Sequence, residues 1–268
     1  MSSAVRRVNQ RIPILVYHHV YPDGDDELNV NKPGECTGVI AESAFCRQMQ
    51  YLADNEMTVV STSSVVDWLI DDAPLPEHAV VLHFDNGWLD TLTVTKPVLD
   101  TFGFTATCFV ITDSANATSQ GKRAAIHTKT EGTVEKPFMA WDQIRGLVAA
   151  GWEIGAHTAT HCRMADKHGT EGDEGVLGEV DRSGAAFEEQ LGCVPLHFAY
   201  PSGSRNTRTD ELLQDHYRSL RLWHFEQPPA WSFTTNATSP LAIDCQNIDN
   251  TVTFADFERL FEQAFTDG

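Results

Sequence analysis

Short apolar runs alternate with segments of helical periodicity along most of the chain. The apolar runs, each of strand length, lie at 12–20, 57–62, 79–84, 104–111, 152–157, 196–201, 218–223 and 241–245. Between them, apolar residues recur every three or four positions at 44–55, 63–70, 91–102, 141–150, 176–191, 208–217 and 254–265. This alternation is typical of a parallel α/β fold, and the absence of a GxGxxG motif favours a closed or nearly closed barrel over an open doubly wound sheet.

Two stretches lack a clear period. Residues 113–137 are rich in Ser, Thr, Lys and Gly, and we predict a long structureless loop there, either a functional lid or an inserted segment. Residues 21–43 form a shorter polar stretch. Neither stretch has the composition of a domain linker, so the pattern predicts a single domain over residues 1–268.

Charge and composition restrict the possible partners. The chain has 38 acidic and 19 basic residues, and its net charge of −19 argues against nucleic acid or an anionic membrane as a partner. The acidic surface is compatible with a neutral or cationic substrate, but a role in solubility alone is the favoured interpretation. No apolar run reaches the ~18 residues of a transmembrane helix, and no signal-peptide cleavage pattern follows the first apolar segment, so we expect a cytoplasmic protein. The six cysteines lack CxxC spacing and are predicted to be reduced.

Polar side chains collect where the predicted strands end. In a β/α barrel the carboxyl ends of the strands meet at one face and line the active site. Four of these ends carry candidate chemistry, in chain order His18 and His19, then Asp85 and Asn86, then His157 and His161, then the segment 200–203 (YPSG). We expect these groups to converge on one site.

Two of these clusters suggest a metal and a base. We predict that His157 and His161, four residues apart, lie on one helical turn and so point the same way, which would let both imidazoles bind a divalent cation. Two surface histidines at a helix start are the alternative. Asp85, Asn86 and Gly87 suit a β-turn, but Asp85 could also act as a base while the Asn86 amide oxygen binds the metal.

The motifs HFDNG (83–87), HTATH (157–161) and YPSG (200–203), in this order, resemble the polysaccharide deacetylase (NodB-homology) family. The first two motifs of that family are usually written TFDDG and H[ST]xxH. The resemblance runs from about residue 12 to the final helix. It implies a distorted, incomplete (β/α) barrel of about seven parallel strands, and metal-dependent hydrolysis of an N-acetyl, sometimes O-acetyl, group on a sugar.

The resemblance also assigns roles by position. Asp85 matches the catalytic base, His157 and His161 match metal ligands, and Asn86 stands where the third ligand is usually Asp. The backbone N–H of Ser202 matches the donor that stabilises the oxyanion. Two histidines and an oxygen ligand suit zinc, and cobalt or nickel would fit as well.

The chain departs from the family pattern in three places. Asn86 is a neutral ligand in place of a carboxylate, and the third motif has neither the usual aromatic residue at Ser202 nor an upstream arginine. The late Leu-His motif that supplies the general acid is missing. His18 is our leading substitute, with His19 and His224 as alternatives; neighbouring residues of a strand point to opposite sides, so at most one of the first two can face the site.

The sequence thus predicts a metal-dependent deacetylase that hydrolyses the amide bond of an acetylated carbohydrate. Two alternatives follow from the departures: a catalytically impaired barrel that serves as a carbohydrate-binding or regulatory module, and a hydrolase of the same fold acting on a non-sugar amide. Among the tryptophans near these loops, Trp88 is the best candidate for a substrate contact, and we predict a structural role for His83.

Overall fold

The computed structural model describes residues 10–28, 38–128, 132–223 and 231–265. The strands are β1 Arg11–Ile12, β2 Ile14–Tyr17, β3 His19–Tyr21, β4 Val39–Ala41, β5 Thr58–Val59, β6 Ala79–Phe84, β7 Thr107–Val110, β8 Ile126–Thr128, β9 Gly132–Val134, β10 Glu153–Ala156, β11 His197–Ala199, β12 Ser219–Arg221, β13 Thr234–Thr235 and β14 Gln246–Asn247. The α-helices are α1 Glu42–Asp54, α2 Thr62–Asp71, α3 Lys96–Phe102, α4 Thr112–Ser119, α5 Trp141–Ala149, α6 Met164–Leu191, α7 Thr207–Leu213 and α8 Phe254–Phe265.

One curled parallel sheet organises the molecule. Its seven strands run in the order β12-β11-β10-β7-β6-β2-β14, and β5 pairs with the first residues of β6. Every pairing within this sheet is parallel. At the open edge, Ile243 forms a single parallel bridge with Arg221 of β12, and four residues later Asn247 pairs with Val16 of β2. The predicted incomplete barrel of about seven parallel strands is confirmed.

The strands are buried on both faces, as a parallel sheet requires. In β6, Val80, Leu82 and Phe84 belong to the main hydrophobic core, which also contains the buried face of α1. Ala79 and Val81 point the other way and pack with α2 in a second cluster. The uninterrupted apolar run of β6 therefore follows from its two packed faces, and it ends where the chain reaches the polar rim.

The helices that cover the sheet are amphipathic, as their spacing predicted. In α1 the residues at helical spacing, Phe45, Met49 and Leu52, are fully buried. In α8 the buried side consists of Phe257, Leu260, Phe261 and Ala264. Within the described ranges, no helix combines the length and the apolar character that crossing a membrane would need.

A polar network fills the barrel next to the start of α2. The Thr62 hydroxyl lies 2.9 Å from His83 Nε2 and 2.6 Å from the Thr107 hydroxyl, and all three side chains are buried. Glu153 accepts hydrogen bonds from the Thr62 main-chain N–H at 2.8 Å and from the Thr107 hydroxyl at 3.1 Å. His83 thus joins strand to helix inside the barrel, in agreement with its predicted structural role.

The predicted structureless loop at 113–137 is wrong. This part of the chain contains α4 and an antiparallel hairpin of β8 and β9. Ile126 and Val134 of the hairpin pack with Trp88 and Phe138 in a small hydrophobic cluster. Trp88 is only 1% exposed, so the predicted substrate contact at Trp88 is also wrong, and the indole ring instead stacks on Phe138 with ring centroids 4.1 Å apart.

Two other predicted elements differ in detail. The helix predicted at 91–102 begins with a π-helical turn, Thr91–Thr95, that continues directly into α3, and its proline, Pro97, comes two residues after that turn. The strand predicted at 241–245 is a 3₁₀ turn, Pro240–Ala242, followed by the single bridge of Ile243.

We expect the metal-free protein to lose stability as the pH falls below about 6.5, the ordinary pKa of a histidine in an unfolded chain. Burial, the largest contribution, lowers the pKa of both His83 and His197. The folded protein therefore keeps both rings neutral where the unfolded chain binds protons, and each ring reduces the free energy of unfolding by up to about 1.4 kcal/mol per pH unit. Urea denaturation between about pH 7.5 and 5.5 measures this slope.

A pair of variants identifies the source of the pH dependence. His83→Gln should reduce the slope, because one buried ionisable ring is removed. His78→Gln, at an exposed position, is the matched control and should leave the slope unchanged. Stability independent of pH over this range would contradict the expectation.

Candidate active site

Asp85 lies where β6 gives way to a turn. Its main-chain N–H donates to the Tyr17 carbonyl at 3.0 Å, so the pairing of β6 with β2 continues to this residue. Asn86 and Gly87 then adopt left-handed backbone conformations, with φ of 74° and 78°. Glycine and asparagine tolerate this region best, which explains why the apolar run ends in Asp-Asn-Gly. The turn leaves the Asp85 side chain 3% exposed at the strand end.

Arg221 on β12 holds the Asp85 carboxylate. Its Nη2 donates to both oxygens of Asp85 at 2.6 Å, and the guanidinium is 1% exposed. Burial alone would raise the pKa of Asp85, but the charge of Arg221, together with its hydrogen bonds to the carboxylate, holds the pKa well below its usual range. Asp85 is therefore ionised at any ordinary pH.

Sequence reasoning missed Arg221. The family pattern has an arginine upstream of the third motif, which would here lie on β11, whereas the cation comes from β12, the next strand along the chain. The available signal was a lone arginine between two leucines in the apolar run 218–223. A charge in a buried strand requires a buried partner.

His157 and His161 approach each other, but they do not lie on a helical turn, so the predicted helical turn is wrong. The segment between β10 and α6 is irregular, and Thr158 and His161 have left-handed φ values of 64° and 65°. The two ring centroids are 5.1 Å apart, with the planes inclined at 53°. Convergence of the two imidazoles thus comes from a tight loop.

Both imidazoles are held in the form that binds a metal. His157 Nδ1 donates to the Ala199 carbonyl at 2.8 Å, and His161 Nδ1 donates to the His127 carbonyl at 3.0 Å. Because a carbonyl only accepts, the proton is on Nδ1 and each Nε2 carries a lone pair. Burial, the largest contribution, lowers the pKa of His157 to about 3 and also lowers the pKa of His161, so both rings are neutral.

The buried amide oxygen of Asn86 shows whether the residues at this site fit a metal ion. Its Oδ1 is buried, and it finds no hydrogen-bond partner among the residues that the structure describes. Within those ranges, no three His, Cys, Asp or Glu side chains lie close enough to hold a metal, so a centre here would need the Asn86 oxygen beside the two histidines. A buried acceptor without a donor and two neutral imidazoles fit a divalent cation.

His18 faces Asp85, whereas His19 points away. His18 Nε2 is 3.8 Å from Asp85 Oδ2, and the ring meets Trp223 edge-on, with centroids 6.0 Å apart. His19 Nδ1 instead lies 3.0 Å from Asp90 Oδ1. The expectation that at most one of the two histidines faces the site is met. Burial, the largest contribution, lowers the pKa of His18 to about 4. The alternative acid, His224, lies outside the described residues.

Ser202 lies in a strained turn after β11. Its φ is 53°, and the N–H groups of the next two residues, Gly203 and Ser204, donate back to Tyr200 and Pro201. In the described part of the chain, no acceptor is found for the N–H of Ser202. Position 203 must be glycine, because a Cβ there would lie 2.4 Å from the carbonyl oxygen of residue 223. The turn therefore leaves one backbone donor available.

Comparison with known proteins identifies the family. A family model described as "Polysaccharide deacetylase" matches residues 72–218, more than half of the chain. The chain belongs to the polysaccharide deacetylase family, as its motifs predicted. A curated relative from Bacillus subtilis (strain 168), "Putative polysaccharide deacetylase YxkH", is 24% identical over 204 residues, which are 74% of this chain and 59% of that protein. The chain therefore spans about three-fifths of the length of this relative, and membership of the family supports the predicted class of enzyme, a hydrolase of carbon–nitrogen bonds other than peptide bonds.

Solved structures share the fold. The Streptococcus pyogenes deacetylase PplD in complex with acetate has a TM-score of 0.76 at 20% identity, covering 97% of this chain and 100% of that one. A de-N-acetylase from Aggregatibacter actinomycetemcomitans has a TM-score of 0.74 at 20% identity, covering 94% and 99%. IcaB from Ammonifex degensii has a TM-score of 0.71 at 21% identity, covering 96% and 98%.

We predict that Arg221→Met lowers the free energy of unfolding by about 3–5 kcal/mol near pH 7, because Asp85 would remain as an uncompensated buried charge. Guanidinium denaturation measures the change. Arg218→Met is the matched control, since Arg218 forms a partly exposed pair with Asp67 at 2.9 Å and its loss should cost less than about 1 kcal/mol. The double variant Asp85→Asn/Arg221→Met should be more stable than Arg221→Met alone; equal losses in Arg221→Met and Arg218→Met would contradict the prediction.

Proposed function

We propose that the chain is a metal-dependent deacetylase that hydrolyses the N-acetyl group of an acetylated sugar or polysaccharide. The observation that carries this proposal is the buried Asn86 oxygen, for which the residues that the structure describes provide no hydrogen-bond donor, in a chain whose two motif histidines present neutral imidazoles. Membership of the polysaccharide deacetylase family supports the reaction class.

His157, His161 and Asn86 would hold the cation, for which zinc is our first choice and cobalt or nickel the alternatives. When bound, a divalent cation supplies a Lewis acid that polarises the acetyl carbonyl and acidifies water. The amide of Asn86 contributes no charge, so this ligand set holds a cation more weakly than one with aspartate, and it leaves the site one unit more positive.

Asp85 is the proposed base. Its carboxylate is ionised before the substrate arrives, since Arg221 keeps its pKa far below neutrality. The same pairing makes Asp85 a weak base, which holds a proton only briefly. We infer that Asp85 accepts a proton from the attacking water and passes it on during the same reaction.

Ser202 and His18 complete the proposed arrangement. The backbone N–H of Ser202 donates to the oxygen that becomes negative in the tetrahedral intermediate. His18 protonates the leaving nitrogen. Its Nε2 lies 3.8 Å from Asp85 Oδ2, beyond a direct hydrogen bond, so the proton would cross through substrate or water. Its low pKa means that His18 is neutral at rest and becomes an acid only after receiving this proton.

Acetate release is the direct test. We expect the wild-type protein to release acetate from a member of a panel of N-acetylated mono- and oligosaccharides, to stop when chelator is added and to recover with zinc. Asp85→Asn should reduce the rate by about 10²–10⁴-fold because the proton acceptor is lost. This change also leaves the buried Arg221 without a charged partner, so zinc binding and circular dichroism of the same preparation must show that the site and the fold persist. Glu188→Gln, at an exposed position of α6, is the control and should retain full activity.

The same assay separates the alternatives. Binding of an acetylated oligosaccharide without acetate release would favour the impaired, carbohydrate-binding barrel. Turnover of small amides without turnover of acetylated sugars would favour a non-sugar substrate. Full activity of Asp85→Asn would remove that residue from the role of base.

We predict that Asn86→Asp lowers the dissociation constant for zinc and that Asn86→Ala raises it, each by about tenfold or more, because the first change adds a charged ligand and the second removes an oxygen. Competition with a chelating dye measures both constants. Thr93→Ala, at an exposed position on the following helical turn, should leave zinc affinity unchanged. An unchanged constant in Asn86→Ala would show that residue 86 is not a ligand.

A further inference from the structure

The loop that joins the two motif histidines is bound by a carboxylate from α6. Glu179 Oε2 accepts hydrogen bonds from the main-chain N–H groups of Ala159 and Thr160, at 3.1 and 3.0 Å. Its Oε1 accepts from the Thr160 hydroxyl at 3.0 Å. Glu179 is only 6% exposed and Ala159 is buried, whereas Thr160 lies at the surface. One side chain therefore satisfies three donors of the loop.

The loop needs such support because its backbone is strained. Thr158 and His161 both have positive φ, a region that non-glycine residues rarely adopt. A local bond from the His161 N–H to the Thr158 hydroxyl, at 2.8 Å, closes the turn but does not attach it to the rest of the fold. Two carbonyls of the loop are attached to the start of α4, where the N–H groups of Thr112 and Asp113 donate to them at 3.4 and 3.0 Å. Glu179 attaches the N–H side of the loop, and α6, which carries it, is packed against the core through Val176, Val180 and other residues.

We propose that Glu179 is a positioning residue for the candidate metal site: it holds the strained loop so that His157 and His161 face one another. It acts through the loop and contacts neither imidazole. The inference rests on the proposed function for the identity of the ligand pair. Removal of a residue that holds metal ligands in place typically weakens metal binding by about 10–100-fold.

The chemistry of the three bonds selects the variants. Glu179→Ala removes all of them. Glu179→Gln keeps an oxygen for the two N–H groups, and its NH₂ can donate to the Thr160 hydroxyl, which also accepts. A positioning role therefore predicts rescue by Gln, whereas a role through negative charge predicts that Gln and Ala behave alike. Glu188→Ala, exposed on the same helix, is the matched control.

The first experiment is zinc binding by competition with a chelating dye. We expect Glu179→Ala to raise the dissociation constant by about 10–100-fold, Glu179→Gln to stay within about threefold of wild type, and Glu188→Ala to be unchanged. If Glu179→Ala fails to fold, Glu179→Asp replaces it, because its carboxylate is one methylene short of the loop. Wild-type affinity in the disrupting variant, or equal losses in the Gln and Ala variants, would overturn the proposal.

The second experiment needs no metal and separates this proposal from the proposed function. Amide hydrogen exchange of Ala159 and Thr160 in the metal-free protein should be at least about tenfold faster in Glu179→Ala than in wild type or Glu188→Ala. If the wild-type protein binds no divalent ion, metal dependence fails, and faster exchange still supports the role of Glu179 in holding the loop. Unchanged exchange overturns that role whatever the zinc result.

Discussion

The buried ion pair of Asp85 and Arg221 is the constraint on which the site depends. Two charges removed from water are tolerated only when each satisfies the other, and here both carboxylate oxygens are bound by one guanidinium. Asp85 directly follows β6 and Arg221 ends β12, and three strands separate β6 from β12 in the sheet. Their contact therefore requires the sheet to curl, and the curl brings the remaining strand ends together around Asp85.

Much of the fold could be predicted because its determinants are local. The strand at 79–84 is apolar throughout because other elements pack against both of its faces. The alternation of such apolar strands with amphipathic helices along the chain is sufficient to predict a parallel barrel. The turn after Asp85 was also visible, since Asn86 and Gly87 suit its backbone. At the strand ends, residue type and position carried enough information to select the candidate site.

What could not be predicted depends on partners far away in the chain. Arg221 is 136 residues from Asp85, and no local pattern links them. The spacing of His157 and His161 fits a helix as well as a loop, and the carboxylate that binds the loop comes from about 20 residues further on. The hairpin of β8 and β9 was hidden because two isolated apolar residues in a polar stretch have no period.

That hairpin reaches the candidate site through its main chain: the carbonyl of His127, not its exposed ring, accepts the proton of His161 Nδ1. A main-chain carbonyl accepts this hydrogen bond whatever the side chain of residue 127 is, so the amino acid at position 127 can vary without loss of the bond. Successive carbonyls of a strand alternate in direction, however, and a single-residue insertion or deletion before 127 would turn the acceptor away. Among close relatives we therefore expect the amino acids of the strand that contains residue 127 to vary while the length of this strand stays constant.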